Sequence, residues 1–201
     1  MVDIDGYIVH DHAGEGEYDK TEKAIQDALA ERASRLKMDE SVATSTVELA
    51  IPDLSAVLSQ ETYFGSDRNE YLGNGVRGIS GSQDITIPSS VNINSLYLGG
   101  NWNITPEYAE SNSGGQIVFK YSAHYVYIVA ANKDTSVKIK ILRDGQPVGD
   151  FAGSDVDPKT SEATINGDRL YRLIHDTSPG VHTIEIQIEG GTLDAYTFTF
   201  G

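Results

Sequence analysis

The sequence predicts a mainly β protein: an antiparallel β-sandwich of the jelly-roll kind, preceded by a β-hairpin and one helix. Two observations carry the sandwich. Runs of β-branched and aromatic residues recur from about Ile85 to Gly201, separated by Gly-containing turns. Within those runs apolar and polar residues alternate, so each strand has one wet face. Ile184, Ile186 and Ile188 share a face opposite Thr183, Glu185 and Gln187, and Val137, Ile139 and Ile141 oppose Lys138 and Lys140. A third observation places the hairpin and helix at the start. Asp5-Gly6 sits between two short β-like runs, and apolar residues at helical spacing follow.

The elements follow in chain order. Val2-Asp3-Ile4 and Tyr7-Ile8-Val9-His10 read as a hairpin, with Asp5-Gly6 as a two-residue turn whose residues both need positive φ. Gly14-Glu15-Gly16 breaks the strand. Asp19 with Glu22 three residues on is a capping-box variant, and Ala24, Ile25, Ala28 and Leu29 form one apolar helix face. A hairpin and helix alone bury too little to be stable, so this piece must pack on something. Residues 37–84 lack a clear period and read as a linker wrapping over the next domain, with Thr62-Tyr63-Phe64 and Tyr71-Leu72 as anchors on its surface or edge. Strands are expected over residues 95–98, 116–121, 125–130, 136–142, 169–174, 182–188 and 195–200. Gly99-Gly100, Gly114-Gly115, Asp144-Gly145, Asn166-Gly167, Pro179-Gly180 and Gly190-Gly191 are the expected turns.

Composition narrows the function. The 201 residues carry 15 basic and 30 acidic side chains, a net charge of -15. Nucleic acid is disfavoured as a partner, because phosphate binding needs a basic face. No apolar run approaches the ~20 residues of a membrane span. No signal-peptide series opens the chain, and residues 1–6 read as the middle of a fold. There is no cysteine, which excludes disulfides, thiol catalysis and cysteine-held metals for this chain. Gly-x-Ser-x-Gly, P-loop and His-Glu-x-x-His motifs are absent from the sequence, so no residue is expected to be catalytic.

Residues 3–10 followed by 14–25 resemble the final hairpin and helix of a TlpA-like thioredoxin domain. Glu61-Thr62-Tyr63-Phe64-Gly65 resembles the entry to the C-terminal domain of DipZ-type proteins. Gly100-Asn101-Trp102, Arg143-Asp144-Gly145-Gln146-Pro147, residues 169–174 and residues 195–201 resemble further stations of that domain in the same order. That family joins a membrane domain of the cytochrome-c-biogenesis type to an extracytoplasmic thioredoxin-like domain and a jelly roll similar to carbohydrate-binding modules. The resemblance implies an incomplete thioredoxin-like piece at 1–36, a linker at 37–60 and a jelly-roll domain at 61–201. It also implies a place outside the cytoplasmic membrane, in the periplasm or at the cell surface, tethered through a membrane domain. The family's thiol-disulfide chemistry cannot be transferred, because no residue here can carry it.

Aromatic side chains are the first candidates for a sugar site, since flat rings stack on pyranose C–H faces. Trp102 lies near a turn, after Gly99-Gly100-Asn101. Its alternative is the rim of the core, where tryptophan is more at home. Tyr125 and Tyr127 share the strand face opposite Val126 and Ile128, so they should point outward as a pair. Their alternative is cross-strand packing that stabilises the sheet. Tyr196, Phe198 and Phe200 alternate at the chain end and read as core. Asp155 and Asp157 put two carboxylates on one strand face and leave structural calcium open, although Pro158 rules out an EF-hand loop. His10 and His12 could share a zinc ion, yet no third ligand lies near in sequence. No cofactor is expected apart from that calcium. The expected function is a non-catalytic extracytoplasmic module that binds a polysaccharide or glycan. The alternative is a docking or scaffold module for the parent thioredoxin domain or a redox partner protein.

Overall fold

A computed structural model describes residues 1–11, 18–38, 59–111, 114–133 and 135–201. The chain divides into two compact units, 1–51 and 52–201. Gly14-Glu15-Gly16, His12 and most of the expected 37–60 linker lie outside the described residues, as does the Asp19 side chain.

The first unit holds the hairpin and helix α1 (Tyr18–Leu36). Val2 and Ile8 bridge in antiparallel sense. The turn is longer than the expected two residues. Asp3 N donates to Tyr7 O at 2.9 Å, so Ile4, Asp5 and Gly6 all lie in the loop. Of these only Gly6 has positive φ, at 88°. Asp3 replaces the missing turn geometry with its side chain: Oδ1 accepts from Asp5 N at 3.0 Å and Tyr7 N at 2.8 Å. Arg35, paired with Glu31, also reaches Asp5 at 2.5 Å and ties the helix end to the turn. None of the unit's described side chains is fully buried. Tyr7 and Ile8 are 72% and 77% exposed, and Ile25 and Leu29 on the helix are exposed as well.

The second unit is the antiparallel β-sandwich. Its strands are β1 (Thr62–Tyr63), β2 (Gly81–Ile85), β3 (Leu96–Ile104), β4 (Ala109–Ser111), β5 (Gln116–Asn132), β6 (Val137–Arg143), β7 (Gln146–Pro147), β8 (Val156–Asp157), β9 (Glu162–Ile165), β10 (Arg169–Gly190) and β11 (Leu193–Phe200). β5 and β10 run through both layers. The first half of β5 pairs with β3 and the second half of β10, and beyond β10 follow β6, β9 and β8. The second half of β5 pairs with β11 and the first half of β10, with β1 outside β11. β4 joins β3 to β11.

Two pairs of expected strands are therefore single strands. Residues 122–124 do not reverse the chain, and neither does Pro179-Gly180. Gly99-Gly100 also lies inside a strand. What replaces a turn is a change of phase. In β5 the inward residues are Ile117, Phe119, Tyr121 and Ala123, then Val126, Ile128 and Ala130. A slip of one residue turns the other face inward. Asp144-Gly145, in contrast, is a true two-residue hairpin turn, with φ of 52° and 73°.

β11 slips in the same way between Ala195 and Thr197. Leu193 and Ala195 face the core before the slip, Phe198 and Phe200 after it. Tyr196 thus leaves the row it was expected to share and packs on Tyr108, at 5.1 Å between centroids. Phe64 and Leu72 are core residues, not surface anchors, and Phe64 packs 5.3 Å from Phe198.

Asp194 is buried next to this slip and pairs in register with Glu110. Its Oδ1 finds no hydrogen-bond partner among the described residues. Burial, then the Glu110 charge, push its carboxyl above the usual range, with Lys133 acting against them. A raised carboxyl pKa costs stability above the ordinary carboxylate range and costs none well below it. Asp194→Asn is therefore expected to raise the melting midpoint at pH 7, with the gain fading as pH falls through the acid range. A midpoint that falls at pH 7 would contradict this.

Candidate functional site

The candidate site is a cleft of about 310 Å³ lined by Tyr125, Tyr127, Gly153, Ser154, Arg172 and His175, with Ile174 at its floor. It begins with the phase change in β5, which turns Val126 and Ile128 inward and leaves Tyr125 and Tyr127 on the outer face, half-buried. Their rings are near parallel, 8° apart, with centroids 6.0 Å from each other. β10 supplies the other side. In register, Arg172 stands across from Tyr127 and His175 across from Tyr125. The His175 ring lies 4.7 Å from Tyr125 at 20°, so three rings share nearly one orientation.

Arg172 and His175 share a face only because β10 bulges between them. Leu173 and Ile174 are both fully buried, and pairing to β5 shifts at Arg172/Ile174. Strict alternation would have put residues three apart on opposite faces. The sequence reading missed both residues for this reason. The adjacent apolar pair Leu173-Ile174 was a signal, but Leu170-Tyr171 three residues earlier is another such pair without a bulge between its members, so the pattern alone did not single it out.

The loop carrying Gly153 forms the wall. Gly153 N donates to Leu173 O at 2.9 Å. A Cβ at Gly153 would stand 2.2 Å from Arg172 O, so only glycine lets the loop approach this closely. Gly201 edges the tyrosine pair: its carbonyl accepts from His124 N and Tyr125 N, each at 2.8 Å. Burial first, then the neighbouring Tyr125, raise the Tyr127 phenol pKa, with Arg172 acting against them. Tyr127 thus stays a neutral hydroxyl that can donate and accept at neutral pH.

Trp102 is elsewhere. It is fully buried in the core, and its indole N–H donates to Gly99 O at 2.9 Å. The ring that looked like a platform beside a turn has both its apolar area and its one polar atom satisfied inside. Trp102 is therefore a core residue and no part of the cleft.

The two aspartates do not act together. Asp155 Oδ1 is 2.8 Å from Arg169 Nη2, and Oδ2 accepts from the backbone N–H of Arg172 at 2.8 Å. Burial tends to raise its carboxyl pKa, but these bonds outweigh burial and hold it below the usual range. Asp157 caps its own turn, accepting from Lys159 N at 2.8 Å. No group of three or more His, Asp or Glu able to hold a metal occurs among the described residues. His10 approaches Thr21 at 3.3 Å, and its proposed zinc partner His12 lies outside the described residues. No helix among the described residues is long and apolar enough to cross a membrane. Since each Asp155 oxygen already has a partner and Asp157 is turned to its own backbone, calcium and chelator are both expected to leave the melting midpoint unchanged. A calcium-dependent rise would mean that Asp155 gives up Arg169 for the ion.

Residues 59–201 match the family described as thioredoxin-like C-terminal domain. The chain is 30% identical over 205 residues to the protein DipZ of Mycobacterium bovis and of Mycobacterium tuberculosis, and spans 26% of the length of each. Among solved structures, a family two carbohydrate esterase from Cellvibrio japonicus is similar with a TM-score of 0.42 at 15% identity, over 61% of this chain and 34% of that one. A family 6 carbohydrate-binding module is similar with a TM-score of 0.31 at 16% identity, over 70% of this chain and 92% of that one.

Proposed function

The chain belongs to the thioredoxin-like C-terminal domain family, and from that premise we propose that its β-sandwich is a non-catalytic module that binds carbohydrate in the Tyr125–Tyr127 cleft. One observation carries this reading: three near-parallel rings, Tyr127, Tyr125 and His175, edge a concave site whose other walls are polar. Ligand sites are concave, with an apolar surface and a few placed polar groups. Aromatic faces serve the C–H side of a pyranose, while Ser154, Arg172 and the tyrosine hydroxyls serve its hydroxyls. The reading assigns no bond-breaking step to any residue. In the parent protein the module would sit outside the cytoplasmic membrane and hold the neighbouring redox domain near its substrates.

The test is a thermal melt of the 201-residue chain against a panel of neutral and acidic oligosaccharides. A sugar at about 100 times its Kd adds about 2.7 kcal/mol to native-state stability. Tyr127→Ala should lower affinity by about 2 kcal/mol or more, as loss of a central aromatic anchor does, and cut that gain to about 0.9 kcal/mol or less at the same sugar concentration. No rise with any sugar, or a rise that Tyr127→Ala leaves intact, would remove the cleft as the site.

A second reading concerns the first unit and rests on its own observation. Val2, Tyr7, Ile8, Val9, Ile25 and Leu29 are each exposed within one small hairpin-helix unit. Apolar surface of this kind marks a protein contact, and the parent thioredoxin domain is the occupant that the sequence resemblance suggests. In sedimentation, Tyr7→Ser with Ile8→Ser should suppress concentration-dependent self-association of the chain. Unchanged association in the double variant would count against this surface.

A further inference from the structure

Acidic residues outnumber basic ones 30 to 15 in the chain, yet none of the side chains lining the cleft is a carboxylate. The charge that does line it is positive. Asp155, next to the lining residue Ser154, is near enough for the Arg172 charge to help lower its carboxyl pKa, yet it forms its ion pair with Arg169 and not with Arg172. One oxygen takes the Arg169 guanidinium, and the other takes the backbone N–H of Arg172, not its side chain. The Arg172 guanidinium has no ion pair among the described residues, and Arg172 is exposed across from Tyr127. Two arginines and one aspartate thus leave one local positive charge at the edge of the ring array.

We propose that the cleft selects carboxylate-bearing glycans, those built with uronic acids, and that Arg172 is the residue that reads the carboxylate. This rests on the reading of the cleft as a glycan site. A guanidinium presents two parallel N–H donors that match a carboxylate, and the charge-assisted bonds are about twice as strong as neutral ones. The acidity of the whole chain does not defeat this. Exposed charges are screened over about 8 Å at physiological salt, so distant carboxylates fade while a contact pair survives. Tyr125 and Tyr127 then supply ring contact that is indifferent to charge, and Arg172 supplies the discrimination.

The experiment is calorimetric titration of the 201-residue chain with oligogalacturonide and oligoglucuronide, each as the free acid and as its methyl ester. The ester keeps the ring and removes the charge. The free acid is expected to bind about tenfold tighter, or about 1.4 kcal/mol. Arg172→Gln should bring acid and ester to equal affinity, and Arg172→Lys should keep only part of the preference. Tyr127→Ala should weaken both forms by the same factor. Equal affinity of the unaltered chain for acid and ester would overturn the selectivity and leave the glycan site standing. Failure to bind any of the four would remove this proposal, and failure across neutral oligosaccharides as well would remove the glycan site itself.

Discussion

Antiparallel pairing of β5 with β10 is the constraint on which the rest of the β-sandwich depends. The two strands stay in contact from Arg169 opposite Ala130 to Gln187 opposite Gln116 and pass through both layers. A ribbon that long cannot keep one face inward throughout, because the core lies on opposite sides of it in the two layers. It must slip, and the slips occur where the layers exchange: between Ala123 and Val126 on β5, and between His175 and Gly180 on β10. The cleft sits at this crossing. Its tyrosines come from the slip on one strand, and its arginine and histidine flank the bulge on the other.

The β10 slip is fixed by a buried polar cluster. Asp176, next to His175, is almost fully buried. Tyr121 donates its hydroxyl to Asp176 Oδ2 at 2.8 Å, and Arg143 Nε lies 2.7 Å from Oδ1, a close ion pair without an aligned hydrogen bond. Arg143 also lies over the Phe151 ring, 4.2 Å from its centroid. Burial, then the charge of Asp176, push the Tyr121 phenol far above its usual range, so it is held as a donor. A buried pair of this kind adds little net stability over an apolar substitute, but breaking it is expensive. What it supplies is position. Asp176 can face only Tyr121 and Arg143, which holds its neighbour His175 on the outer face beside Tyr125.

This explains what could be read from the sequence and what could not. Wherever a strand keeps one phase, alternation was enough: Val137, Ile139 and Ile141 are buried, as are Ile184, Ile186 and Ile188. Asp144-Gly145 was legible too, because a two-residue turn needs positive φ at both positions and few residue pairs tolerate that. The failures sit at the slips. Tyr196 was grouped with Phe198 and Phe200 because nothing local marks the bulge before Thr197. Tyr125 and Tyr127 were placed on the outer face, since they lie beyond the β5 slip with their alternation intact. Arg172 and His175 were not, since the bulge between them depends on a register set by a strand some fifty residues away. Of the two readings of Trp102, the sugar platform fails and the core position holds. Proximity to Gly99-Gly100 suggested exposure, whereas those glycines lie inside β3, and Gly99 O is the acceptor that lets the indole be buried.

The same bulge also settles the electrostatics of the cleft. Because β10 bends at Leu173-Ile174, the Arg172 backbone N–H is free of the ladder and turns to Asp155. Asp155 is thereby oriented toward Arg169, and the two form a partly exposed pair. Such a pair contributes little stability on its own. Its effect is on what it leaves behind, since Asp155, held by a backbone amide and one arginine, forms no ion pair with the Arg172 guanidinium. The chain is acidic almost everywhere, yet the geometry of one bulge gives it a cleft edged by a guanidinium without a counter-ion among the described residues. Aromatic contact and charge selection therefore have separate origins in the fold, the first in the phase of β5 and the second in the bulge of β10. Either can be altered without the other.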